Sequence, residues 1–157
     1  RGVREAFVSA IDEAGAFGPE RMLAEDGDEV AVPARVGDRL VVVHHGDALV
    51  LQVVDEDSLE LLERFVYPPR DARPFFVGAL AGRLLVGHTA DGALHMDDFG
   101  PSLDAEHGRI EIRPEVGRAV GPSGSVLETP GALYVAVGTS DGSRSRPLVA
   151  RLVCTFD

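Results

Sequence analysis

The residues that could do chemistry in this chain are few, and the most suggestive are two histidines. His44 and His88 hold the same place in two similar stretches, RLVVVHHGDALVLQVVD over 39–55 and RLLVGHTADGALHMDD over 83–98. If the stretches are related by rotation about an axis, the two imidazoles could point at it and hold a metal ion or an anionic ligand. A looser third copy over 132–153 puts Val137 there, which breaks any three-fold site, and histidines near strand ends more often serve packing or face solvent. Asp97 with Asp98, or Asp55 with Asp57, could be paired carboxylates for acid and base work. Turn aspartates bonded to nearby amides explain them more simply. Ser140 and Ser143 have no sequence-level triad and no Gly-x-Ser-x-Gly elbow. Arg144 and Arg146 fall at a hairpin tip and could clamp an acidic partner, against the plainer reading of a solvated tip. The acidic run EDGDE at 25–29 lacks the ligand spacing of a calcium loop and reads as a solvated turn. No phosphate-cradling glycine loop, zinc ligand pair or dinucleotide fingerprint is present. No catalytic, cofactor-binding or metal-ligating residue is therefore assigned and no cofactor is expected; His44, His88, Arg144 and Arg146 are kept as contacts for a ligand or partner.

The elements that must position these residues repeat along the chain. Leu40, Leu84 and Leu133 open three hairpins, 44 and 49 residues apart. That spacing suits four-stranded units stacked as an array. Asp91-Gly92 is a two-residue hairpin turn between apolar strands. Ahead of each hairpin lies a candidate inner strand, VAVPARV from Val30, FFVGAL from Phe75 and SGSVLET from Ser123, and behind the first two lies an outer strand, LELLERFVY from Leu59 and RIEIRP from Arg109. The run SLELLERF also fits helical spacing, and its place in the repeat favours strand. Pro33 requires an edge or a bulge, since proline donates nothing to a ladder. GPSGS at 121–125 reads as a flexible lead into the third unit.

The succession of apolar strand, AGRLLVG over 81–87, Asp91-Gly92-Ala-Leu, acid-rich turn and last strand resembles the blades of β-propeller proteins, most closely the pyrroloquinoline-quinone-like and WD40-like groups. The resemblance runs from about Asp28 to the end. The chain departs from those families in having no tryptophan, no Trp-Asp pair and no Gly-His blade opener. What it implies is a fold, and no functional residue is carried over. The expected architecture is mainly β: about three four-stranded antiparallel propeller-type blades near 28–70, 71–114 and 115–157, after an N-terminal helix and arm over 1–27, with a β-sandwich or barrel as the alternative. The helix is expected from Val3, Ala6, Phe7, Ala10, Ile11 and Ala14 at helical spacing, stopped by Gly15 and Pro19.

Composition bounds the rest. A chain of 157 residues with 45% hydrophobic side chains can hide about 70% of its unfolded surface in one core. A net charge of −11 opposes nucleic acid and anionic membranes as main partners. All 15 basic residues are arginine, and lysine and asparagine are missing, a bias pointing to a GC-rich bacterial genome. The single Cys154 in LVCTF reads as a buried structural thiol that fits a reducing cytoplasm. A lost leader or a longer parent protein stays open. Three blades are fewer than a ring normally uses, so the chain is expected to be part of a larger protein, an oligomer or a split ring. The expected function is a non-catalytic propeller-type module binding another protein or another part of its parent chain. The alternative is the repeat domain of a quinoprotein-like or hydrolytic propeller enzyme with an axial site around His44 and His88.

Overall fold

A computed structural model describes residues 6–9, 11, 13–18, 21–24, 30–69 and 76–153. The described residues form thirteen strands and no helix. Sheet 1 is the meander β3 (Val30–Val36), β4 (Arg39–His45), β5 (Leu49–Val54) and β6 (Leu61–Tyr67); sheet 2 repeats it with β7 (Phe76–Leu80), β8 (Arg83–Ala90), β9 (Ala93–Phe99) and β10 (Glu106–Ile112). Sheet 3 contains β11 (Arg118–Thr129), β12 (Ala132–Ser140) and β13 (Ser145–Val153). All pairings are antiparallel. Among the described residues, then, the third unit has three strands and lacks the outer one, for which the sequence offers no obvious candidate. The lead at 121–125 lies within β11, whose register slips between Val120 and Gly124, so those residues are taken up as a break in a strand.

The expected N-terminal helix is not formed by the described residues. β1 (Ala6–Val8) pairs antiparallel with β2 (Arg21–Ala24), and Ile11 bridges Phe17 around a turn at Glu13 and Ala14. Gly15, with φ of 82°, completes the reversal. A short helix is marginal alone in water, and a paired ribbon supplies backbone partners that its apolar stripe would not. Residues 25–29 and Cys154 lie outside the described residues, so the expectations placed on them stand where the sequence left them. No helix among the described residues is long and apolar enough to cross a membrane.

The three sheets are stacked face to face in chain order. Val41, Val43, Leu49, Leu51 and Val53 of sheet 1 share one core with Val77, Leu84, Val86 and Phe99 of sheet 2. Alternation turns the next residues of sheet 2 the other way, so that Phe76, Leu85, Leu94 and Met96 form a second core with Leu133, Val135 and Val137 of sheet 3. Sheet 2 is thus covered by a sheet on each face, and β4 and β5 of sheet 1, buried along most of their lengths, are nearly unbroken aliphatic runs. The outermost strands β6 and β10 are mostly exposed. Among the inner strands, β3 lies beside β7 and β7 beside β11. The repeat holds at the leucines that define it: Leu84 and Leu133 are fully buried against the preceding sheet, and Leu40, half-buried, is on the corresponding face of sheet 1.

Three details fix the stack. Pro33 lies on β3, an edge strand, where a missing N–H is tolerated. On the edge strand β7 the Ala79 N–H donates to the Glu128 carboxylate of sheet 3 over 2.7 Å. Close approach of β7 and β8 to their neighbours demands glycine: a Cβ on Gly78 would meet Leu133 at 3.0 Å, and one on Gly87 would meet the Phe76 ring at 1.8 Å. A further repeat signature is conformational. Leu59 and Leu103, each nineteen residues after its hairpin leucine, are buried with φ of 57° and 62°. Leu103 enters the core between sheets 1 and 2, and its carbonyl accepts a hydrogen bond from the Tyr67 hydroxyl of sheet 1.

Candidate functional site

The two histidines singled out in the sequence stand on equivalent faces of successive sheets, and that equivalence keeps them apart. His88 lies on the face of β8 that carries Leu84 and Val86 toward sheet 1. His44 lies on the face of β4 opposite Val41 and Val43, and so points away from sheet 2, with sheet 1 between the two rings. His44 is buried with Gln52, its Nε2 being 3.0 Å from the amide oxygen, so Nε2 donates to it. Among the described residues no group of three or more potential ligands converges on a metal position.

His88 belongs to a polar cluster of sheet 2. It pairs across β8 and β9 with His95, ring centroids 5.4 Å apart, while His95 Nε2 donates to the Ala90 carbonyl over 3.2 Å. His88 Nε2 stands 3.5 Å from Asp97 Oδ2, too long for a strong hydrogen bond. Asp97 is fully buried, and its Oδ1 accepts from Arg109 Nε over 2.6 Å. Arg109 reaches it because the register places the two residues directly opposite on β9 and β10. An imidazole beside a carboxylate is the arrangement of a general base. Here both groups are buried between two sheets, and Arg109 pairs with the buried carboxylate and ties the exposed β10 to the core.

Asp97 and Asp98, a candidate carboxylate pair, are separated by strand alternation. Asp97 faces sheet 1, whereas Asp98 lies on the opposite face of β9 and accepts two hydrogen bonds from Arg83 Nε at 2.9 and 3.1 Å. Asp55 organises its own turn, accepting from the Ser58 N–H at 2.7 Å and the Asp57 N–H at 3.2 Å. The bonds from the Ser58 amide and hydroxyl hold its carboxyl below the usual carboxylate range. Asp141 does likewise at the tip of the β12–β13 hairpin, accepting from the Ser143 hydroxyl and the Ser143 and Arg144 amides, each at 2.8 Å. Those three donors, the hydroxyl first, lower its pKa. The tip is thus an ordered turn from which Arg144 and Arg146 extend, both exposed.

An unclosed stack is expected to leave an apolar face at its end, and sheet 3 has one, on residues that the sequence did not single out. The faces that sheets 1 and 2 turn forward along the chain order are covered by the next sheet. On sheet 3 the corresponding face carries Leu127, Val149 and Val153, which are 63%, 63% and 45% exposed. The register sets Leu127 and Arg151 on either side of Tyr134, and Val149 beside Ala136. The Arg151 guanidinium lies 5.9 Å from the centroid of the Tyr134 ring, a cation–π distance. A depression of about 440 Å³ lined in part by Ser125, Gly138, Arg146 and Pro147 opens at the hairpin end of this sheet. Alternation in LVARLV marks two faces and is silent on which of them has a neighbour. Compared with protein family models, curated proteins and solved structures, the chain gives no match.

Proposed function

We propose that the three sheets are propeller-type blades and that the chain is a non-catalytic interaction module, recognising another protein or another part of its parent chain. The observation that carries this reading is the exposed forward face of sheet 3. Its equivalents on sheets 1 and 2 are closed apolar interfaces, and here the same face is left with Leu127, Val149 and Val153 in solvent. Contiguous exposed apolar surface of this kind marks association sites in stable proteins. Two further features support the reading. The inner strands β3, β7 and β11 lie side by side, as blades around an axis would. In sheet 2 the Asp97 carboxylate is fully buried and bonded to Arg109, with His88 buried beside it.

The reading is tested by placing a photo-reactive amino acid at Val149 on the forward face and, as a control, at Arg113, exposed just beyond β10. Cross-links in cells that concentrate at position 149 and give one defined adduct support an interaction module. Equal, diffuse labelling from both positions, or none from position 149, overturns it.

A further inference from the structure

We infer that Arg64 anchors a second contact surface, on β6, and that it takes a carboxylate from a protein segment in which the acid stands between apolar side chains. The inference goes beyond the interaction-module reading and uses a different part of the molecule. It starts from a row of residues that the fold builds twice. Register sets Val42, Gln52 and Arg64 side by side across β4, β5 and β6, and it sets Val86, Asp97 and Arg109 side by side across β8, β9 and β10. His44 and His88 stand two residues beyond Val42 and Val86, on the same faces. In sheet 2 the row is complete, because Arg109 Nε is 2.6 Å from the buried Asp97 carboxylate. In sheet 1 the place of the aspartate is held by Gln52, an uncharged amide whose oxygen accepts from His44. Arg64 thus has the position of Arg109 without its counter-charge.

The other arginines of the two sheets show that the gap is local. Six arginines fall among the described residues from 30 to 113, and five of them meet a carboxylate: Arg35 with Glu56, Arg39 with Glu63, Arg83 with Asp98, Arg109 with Asp97 and Arg113 with Glu111. The sixth, Arg64, is exposed and meets none among the described residues. Its surroundings decide what kind of group would supply one. Alternation puts Leu62 and Val66 on the same face as Arg64, and they are 60% and 56% exposed, so the cation lies between two bare aliphatic side chains. Glu63, the one acid of β6, is on the other face and is held by Arg39. A small anion would leave Leu62 and Val66 in water, and a purely apolar surface would bury the guanidinium without a counter-charge, which is costly. A segment that offers apolar, acidic and apolar side chains in turn satisfies all three residues. The approach is open, since β6 is the outermost strand of sheet 1.

The test titrates the isotope-labelled full chain with a capped peptide, valine-serine-glutamate-serine-valine, and with the same peptide carrying glutamine in place of glutamate. NMR reads the Leu62 and Val66 amides and the Arg64 Nε–H. At a salt concentration of about 50 mM the glutamate peptide is expected to bind with a Kd of about 1–5 mM and to shift those three signals most. It should bind about threefold more tightly than the glutamine peptide, the range of an exposed ion pair. Arg64→Gln, whose unfolding midpoint should lie within about 2 °C of wild type, is expected to bind the two peptides equally and weakly. The double variant Arg144→Gln with Arg146→Gln should bind as the wild type does. No shift by about 10 mM peptide, equal binding of both peptides by the wild type, a response that survives Arg64→Gln, or shifts centred on the arginines of sheet 3 each overturn the proposal. The sheet 3 reading is untouched by any of these outcomes, because it rests on the cross-link at position 149.

Discussion

Leu133 and Val149 sit on opposite faces of the same sheet, and the difference between them shows how this molecule divides its apolar residues between stability and recognition. Leu133 is fully buried against sheet 2, whereas Val149 is mostly in solvent. Both are aliphatic, and both lie on strands paired by an unbroken β12–β13 register. What separates them is the presence of a neighbour. The comparison extends down the stack, because Leu85 and Met96 are to sheet 2 what Tyr134 and Val149 are to sheet 3, and the first two are buried.

The comparison can be broken most directly by truncating both residues. Leu133→Ala should cost about 2–5 kcal/mol in urea unfolding, the range for a fully buried leucine, and Val149→Ala less than about 0.5 kcal/mol. Equal losses would mean that the forward face is covered in the folded chain. A smaller effect is expected within the interface between sheets 1 and 2. Arg109→Ala strands the buried Asp97 carboxylate and should cost about 2–4 kcal/mol, largely recovered in the double variant with Asp97→Val; a double-mutant cycle with no coupling would remove Arg109 from the cluster. Gly87→Ala should destabilise by about 1–3 kcal/mol through overpacking on Phe76, and combining it with Phe76→Leu should cost less than the two changes added.

The smallest effects concern the turns and are read from pH. Asp55 and Asp141 have carboxyl pKa values held low by their turn donors. A depressed folded-state pKa gives stability that is present above the unfolded value, near 4, and lost as pH falls through the folded one. Asp55→Asn and Asp141→Asn should therefore lower the unfolding midpoint at neutral pH and converge on the wild type in acid. A gap that persists in strong acid would show that the amide perturbs the turn by something other than charge.

The parts legible in the sequence were those governed by local rules. Asp91 and Gly92 take φ of 51° and 74°, the twisted hairpin turn their types require. The ambiguous run over 58–65 contributes a strand, because β5 offers it a ladder. What could not be read depended on neighbours. The stripe from Val3 to Ala14 fits a helix, yet Ala6–Val8 pairs with Arg21–Ala24, and nothing within twelve residues announces a partner thirteen further on. His44 and His88 are equivalent, and their spacing leaves open whether they converge; equivalent positions in stacked sheets point the same way along the stack, which keeps them apart. The recurrence of Leu59 and Leu103 was visible as a spacing of nineteen, but leucine in a left-handed conformation is uncommon enough that the spacing alone suggests nothing.

The bond from Ala79 to Glu128 has a consequence for what this protein avoids. An edge strand with free amides recruits strands from other molecules and seeds fibrils. By spending a carboxylate from the adjacent sheet on one of those amides, and by placing a proline in β3, the chain blunts two of its edges while leaving a broad surface bare. Association is steered from ladder extension, which is promiscuous and hard to reverse, toward side-chain complementarity, which can be selective and can let go.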